Sequence, residues 1–287
     1  MIVGKVLRRT SGYIRYAFNF RRNSYPFLSG DLLADMSDVS LYEAPFRQKA
    51  PSKREIADAK VLFCPSDYFE RMMDDYGSII QPSVLILGNS DRDFQSFDVK
   101  LPASTKLVLC QNLFHESGIA RTLPIGIENL RHGKNGLPRL FLDRHAQSNK
   151  KSEVLVGPFG RTHNEREFFF ENDLSEIKSL RYVSNRISPK EYARLSSEFR
   201  FIASPRGNGL DTHRFWEALY RGSWPVVLES EWSRNIAKLG LPVVHIADWD
   251  QLKNFSDLDL SRYQDFNPKD LAPLWWDYWK ELIGSYC

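Results

Sequence analysis

Residues 201–227, FIASPRGNGLDTHRFWEALYRGSWPVV, constrain the fold more than any other stretch of this chain. Phe201, Ile202 and Ala203 form an apolar run that reads as a buried strand, and the run ends in a glycine-containing loop from Ser204 to Gly209. Asp211 and Thr212 are good N-cap types, so a helix opens there. Phe215, Trp216 and Leu219 give it an apolar face, and Gly222 stops it. The run from Trp224 to Leu228 reads as the next strand. Strand, loop, helix and strand in this order make a βαβ unit, which requires a parallel sheet.

The loop-to-helix mouth of that unit is crowded with polar residues. A helix N-terminus presents N–H groups that no turn of its own helix satisfies, which suits it to a phosphate. Arg206 and Arg214 are placed to add charge-assisted bonds to the same anion. Helical spacing puts Arg214, Glu217 and Arg221 on one face. The competing reading of these three is a solvated ion-pair stripe, with glycines that serve only a turn.

The first half repeats the pattern. Ala59 to Cys64 leads into Pro65, Ser66 and Asp67. Val84 to Leu87 leads into Gly88, Asn89, Ser90 and Asp91, and Lys106 to Cys110 leads into Gln111 and Asn112. A helical stretch from Asp67 to Tyr76 alternates with these runs, so parallel βαβ units are expected here too. Ligands in such sheets sit beyond the carboxyl ends of the strands, where these polar residues fall. Residues 130–152 are basic and turn-rich and read as a linker. A second strand from Glu153 to Val156 then leads into Gly157 and a helix expected near Thr162. Arg161 stands at that mouth, either aimed at the same phosphates as Arg206 or simply exposed on a βα turn. Val243 to Ile246 reads as a further strand. The segment from Leu271 to Tyr286 carries Trp275, Trp276, Tyr278 and Trp279 at helical spacing, which marks a packing face.

A net charge of +3 on 287 residues is too balanced to point to nucleic acid. Cys64, Cys110 and Cys287 offer neither a disulfide framework nor zinc-ligand spacing, and free thiols fit a reducing cytoplasm. No apolar run approaches the roughly 20 residues needed to span a bilayer, and no signal peptide is expected. Residues 1–22 carry Lys5, Arg8, Arg9, Arg15, Arg21 and Arg22 among aromatic and aliphatic side chains, and the first acid is Asp31. Such a segment suits peripheral contact with an anionic membrane surface, or a terminal helix docked on its own domain.

Residues 204–227 resemble the C-terminal signature of exostosin-like glycosyltransferases. The resemblance rests on Pro205, Gly207, Asp211, Thr212, Arg214, Glu217, Ala218, Leu219, Gly222, Pro225, Val226 and Val227. A weaker echo lies in Gly88 to Asp91, Gln111 and Asn112, and Leu123 to Asn129. The resemblance implies an α/β, GT-B-like fold in which two Rossmann-like domains face a central cleft. The first domain would span 1–145 on the acceptor side, and 146–270 would hold the nucleotide-sugar. A terminal helix in 271–287 would cross back to the first. It also implies transfer of a sugar from a nucleotide-sugar, with uridine diphosphate favoured, to a glycan or glycoconjugate acceptor, with inversion favoured over retention. The nucleotide-sugar is a co-substrate, and no further cofactor is expected.

Glycosyl transfer needs charge stabilisation on the leaving diphosphate and a base for the acceptor proton. The donor-side candidates are Arg161, Arg206, Gly207, Asn208, Gly209, Asp211, Thr212, His213, Arg214 and Glu217, with Glu217 assigned to ribose hydroxyls. Arg161, Arg206, Arg214 and the helix mouth at Asp211 and Thr212 meet the first need without a metal. Asp91 is the first choice for the base, with Asp31 and Glu128 as rivals and Asp67 and His115 behind them. Two other readings stand beside this one. Asp91 and Asp93 form an Asp-x-Asp after a strand, as in metal-dependent glycosyltransferases. The chain would otherwise be a non-catalytic nucleotide- or carbohydrate-binding module.

Overall fold

The structure, a computed structural model, describes residues 23–42, 50–97, 100–142 and 149–287. The basic segment 1–22, to which the membrane reading belongs, lies outside the described residues. The chain divides into two compact units: Met1–Pro138 with Trp275–Cys287, and Arg139–Leu274. The sequence places these boundaries at 145 and 270.

The first unit is built on strands β1 (Val39–Ser40), β2 (Val61–Pro65), β3 (Val84–Gly88), β4 (Leu107–Cys110) and β5 (Ala120–Thr122). They pair in sequential order, and every pairing is parallel. All residues of β2, β3 and β4 are buried, as expected of parallel strands covered on both faces. The stretch expected as one helix from Asp67 starts as a 3₁₀ turn, Ser66–Tyr68, and becomes α-helical over Phe69–Tyr76. Phe69 and Met72 drive its inner face into a core that includes Leu62, Cys64, Leu85 and Cys110. The helix Lys53–Asp58 starts on a capping box between Ser52 and Glu55. The tryptophan-rich helix Trp276–Gly284 belongs to this unit, with Trp276 and Trp279 buried and the Trp275 ring tilted against that of Phe27, centroids 5.4 Å apart.

The second unit contains β6 (Lys151–Val156), β7 (Leu180–Tyr182), β8 (Phe199–Ala203), β9 (Trp224–Leu228) and β10 (Val244–Ile246). Its sheet is also parallel throughout, but the order is β10-β9-β8-β6-β7. The chain steps from β6 to β7 on one side, then returns across β6 to β8 on the other. The direction of winding therefore reverses between β6 and β8.

The helix His213–Tyr220 opens at Thr212, and Gly222 ends it with φ +68°, the left-handed conformation that favours glycine. The helix expected near Thr162 is only a 3₁₀ turn, Asn164–Arg166, followed by Phe168–Glu171. His163, not Thr162, caps it, accepting from the N–H of Glu165. Phe169 packs on Phe159 and Trp249, and Asn172 caps the Phe168 carbonyl, so the chain turns away after one turn. No helix among the described residues is long and apolar enough to cross a membrane.

Candidate functional site

The loops after β6 and β8 stand on either side of the winding reversal, the place where open parallel sheets bind their ligands. Gly157 begins the first loop with φ +81°, and a Cβ there would collide with the Val183 carbonyl. That turn exposes the carbonyls of Gly157 and Pro158, and Arg214 donates to both, at 3.0 and 3.2 Å. Arg214 also lies over the Tyr192 ring at 4.2 Å and the Phe159 ring at 5.4 Å. Arg166 lies over Phe159 as well, at 5.6 Å. It donates from Nε to the Arg206 carbonyl at 2.7 Å, and from its terminal nitrogens to Pro205 and Gly160 at 3.2 Å each. Oε1 of Glu165 accepts from the backbone N–H of Arg206 and from the Trp249 indole, each at 3.2 Å.

The bonds to carbonyls fix Arg166 and Arg214 without neutralising them, because a carbonyl accepts a hydrogen bond but carries no formal charge. Arg166, Arg206 and Arg214 bring three positive charges to these two loops, and the charges of Arg166 and Arg206 both act on Glu165. Burial first, and the charge of Arg214 second, push the Arg166 pKa down to about 10. Burial raises that of Glu165, while bonds from Arg206 and Trp249 and the charges of Arg206 and Arg166 pull the other way. An anion bound among these arginines would relieve the crowding of positive charge.

The other donor-side candidates fall in several places. Thr212 is the N-cap of His213–Tyr220, but its side chain makes no capping bond, so it does not occupy the helix's first N–H groups. His213 is the first residue of that helix and is half-buried. The Gly207 N–H donates to the Gly209 carbonyl at 3.1 Å, and the carbonyl of exposed Asn208 accepts from Arg206 at 3.3 Å. Gly207 packs under the Arg166 guanidinium. Arg161 pairs with Glu167 and lies over Phe170 at 4.2 Å.

Two of the donor-side candidates are buried acids. Asp211 accepts from the indole of Trp216 at 2.7 Å through Oδ1. Glu217 is buried beside Arg221, 3.7 Å away, and so offers no exposed carboxylate to a ribose. The solvated-stripe reading fails with it, because Arg221 is buried too.

In the first unit the polar residues after β3 and β4 form an amide network. Gln111 accepts from the Asn89 N–H at 2.9 Å, and Asn129 links Asn89 to the N–H of Asp31. Asp31 is buried, 3.5 Å from Arg131. Glu128 caps a turn by accepting from the Asn135 N–H at 2.9 Å. Asp67 accepts from Ser90 at 2.8 Å. His115 is exposed, and its backbone N–H donates to the Gln95 carbonyl. Asp91, after β3, is exposed. Asp93 is half-buried, and no group of three or more His, Cys, Asp or Glu among the described residues is arranged to hold a metal ion.

Sequence reasoning missed Glu165 and Arg166. The signal available was their place just beyond the β6 mouth, but a helix expected from Thr162 hid their roles. The two units define an α/β protein with two parallel five-stranded sheets. Comparison with protein-family models and with curated proteins finds no match to this chain.

Proposed function

We propose that the protein is a metal-independent glycosyltransferase of the GT-B type. Its second unit binds a nucleotide-sugar, with uridine diphosphate favoured, and it transfers the sugar with inversion to a glycan or glycoconjugate. The observation that carries this reading is the coincidence of two features. The winding reversal between β6 and β8 falls where Arg166, Arg206 and Arg214 gather at the two loops. A diphosphate leaving group gains charge in the transition state, and fixed guanidinium groups stabilise it without reorganising. The exostosin-like signature supports the same assignment, since Pro205, Gly207 and Thr212 lie in the loop after β8 and Arg214 in the first turn of the helix that follows.

In this mechanism Arg206 and the N-terminus of His213–Tyr220 meet the diphosphate, and Arg214 and Arg166 hold the loops and add field. Asp91, the exposed acid after β3, takes the acceptor proton. The purified protein, screened against nucleotide-sugars with chelator present, tests the reading by thermal shift and donor hydrolysis. A melting-temperature rise and turnover with a uridine diphosphate sugar are expected. Failure of every nucleotide-sugar and of free nucleoside diphosphates to bind would overturn it. Turnover that is abolished by chelator and restored by Mn²⁺ would overturn the metal-independent mechanism.

A further inference from the structure

Adjacent residues hold both backbone groups of Arg206. Glu165 Oε1 accepts its N–H at 3.2 Å, and Arg166 Nε donates to its carbonyl at 2.7 Å. We propose that Glu165 and Arg166 are paired positioning residues that clasp the Arg206 peptide and set the direction from which Arg206 meets an anionic ligand. This rests on the diphosphate-site reading above and assigns that site its alignment device.

Three features make the clasp more than a pair of chance bonds. First, it joins loops from three strands: Glu165 and Arg166 follow β6, Arg206 follows β8, and Trp249, which follows β10, donates its indole N–H to Glu165. Second, Arg166 spreads its guanidinium over three carbonyls, those of Gly160, Pro205 and Arg206, and Gly207 leaves room for it. Only a planar fork reaches three acceptors in this way. Third, both bonds to Glu165 fall on the same oxygen, Oε1. A neutral side chain with one carbonyl oxygen in that place would keep both. The negative charge of Glu165 is therefore separable from its grip.

That separation supplies the test. Glu165→Gln keeps an acceptor and loses the charge, whereas Glu165→Ala loses both. Affinity for uridine diphosphate and for inorganic pyrophosphate is measured by calorimetry, and amide exchange is followed over residues 204–210. Misplacing the loop in Glu165→Ala is expected to weaken binding about 10- to 100-fold. Exchange at Arg206 is expected to speed up at least about 10-fold in the same variant, as local opening becomes easier. Glu165→Gln is expected to bind as tightly as wild type or tighter, with Arg206 still protected. Should Glu165→Ala fail to fold, Arg166→Lys answers the same question. A point ammonium cannot span the three carbonyls, so faster exchange and weaker binding are expected.

Wild-type binding and protection in both Glu165→Ala and Arg166→Lys would overturn the clasp. So would a Glu165→Gln variant as weak as Glu165→Ala, because charge and not grip would then matter. If wild type binds neither probe, the diphosphate reading fails by itself. The exchange data then decide the clasp: protection lost in Glu165→Ala and restored in Glu165→Gln supports it, and unchanged protection overturns it.

Discussion

Arg221 Nη1 lies 3.7 Å from Glu217 Oε2, one helical turn away, and only 3% of the arginine side chain and 7% of the carboxylate side chain are exposed. The arginine also donates to the Glu217 carbonyl at 2.9 Å and lies over Phe141 at 4.4 Å. A buried ion pair adds little net stability, but breaking it strands a charge. Glu217→Ala is therefore expected to cost about 3–5 kcal/mol. Glu217→Leu combined with Arg221→Met is expected to cost much less than Glu217→Ala. Denaturant unfolding of the three proteins measures both, and an exposed-site loss below about 0.5 kcal/mol for Glu217→Ala would refute the burial argument.

The ligand role proposed for Arg214 can be tested apart from its hold on the loop after β6. Arg214→Lys retains the charge but loses the fork across Gly157 and Pro158 and the planar stack on Tyr192. A stability loss of about 1–2 kcal/mol is expected from the broken bonds, together with weaker uridine diphosphate binding. Lower stability with unchanged nucleotide affinity would reduce Arg214 to a loop staple.

Lys150 gives the protein a pH signature. Its ammonium donates to the Arg221 carbonyl at 2.5 Å and to Ser223 at 2.9 Å, and burial pushes its pKa from 10.5 down to about 8. Between those values the unfolded chain binds more protons than the folded one, so this group's contribution to stability rises with pH from about 8 to 10.5. The gain is at most about 3 kcal/mol. The Cys64 thiol, pushed up to about 12 by burial, works in the opposite direction above its usual range. Wild type and Lys150→Met must therefore be compared at each pH. Relative to the variant, wild type is expected to gain stability across this window, and a flat difference would contradict the shift.

The acids of the first unit separate by what each already holds. Asp91→Asn changes an exposed residue and is expected to leave folding and nucleotide affinity intact while lowering sugar transfer about 10²- to 10⁴-fold. Asp31→Asn removes the buried partner of Arg131 and is expected to lower the melting temperature first. Glu128→Gln keeps an acceptor for Asn135 and is expected to change little. Transfer kinetics and melting curves on all three decide the matter. Selective loss in Asp31→Asn or Glu128→Gln alone would move the base there.

The unit from β8 to β9 was legible in the sequence because its signals are local. Apolar runs, the N-cap at Thr212 and the stop at Gly222 act within a few residues of the elements they define. Continuous apolar strands likewise announced parallel pairing, because a strand buried on both faces has no polar side to show. Burial was not legible. Spacing places Arg214, Glu217 and Arg221 on one helical face, but only tertiary packing brings Tyr192 over that face and seals Glu217 and Arg221 away from water. The clasp on Arg206 was hidden for a related reason. Its bonds join residues about forty positions apart, from a single 3₁₀ turn too short to leave a periodic pattern. The order β10-β9-β8-β6-β7 was settled in the same way. Local sequence set which segments are strands and helices, through periodicity and caps. Tertiary structure alone decided which strand ends meet, because that choice depends on how distant apolar faces and fixed charges pack together.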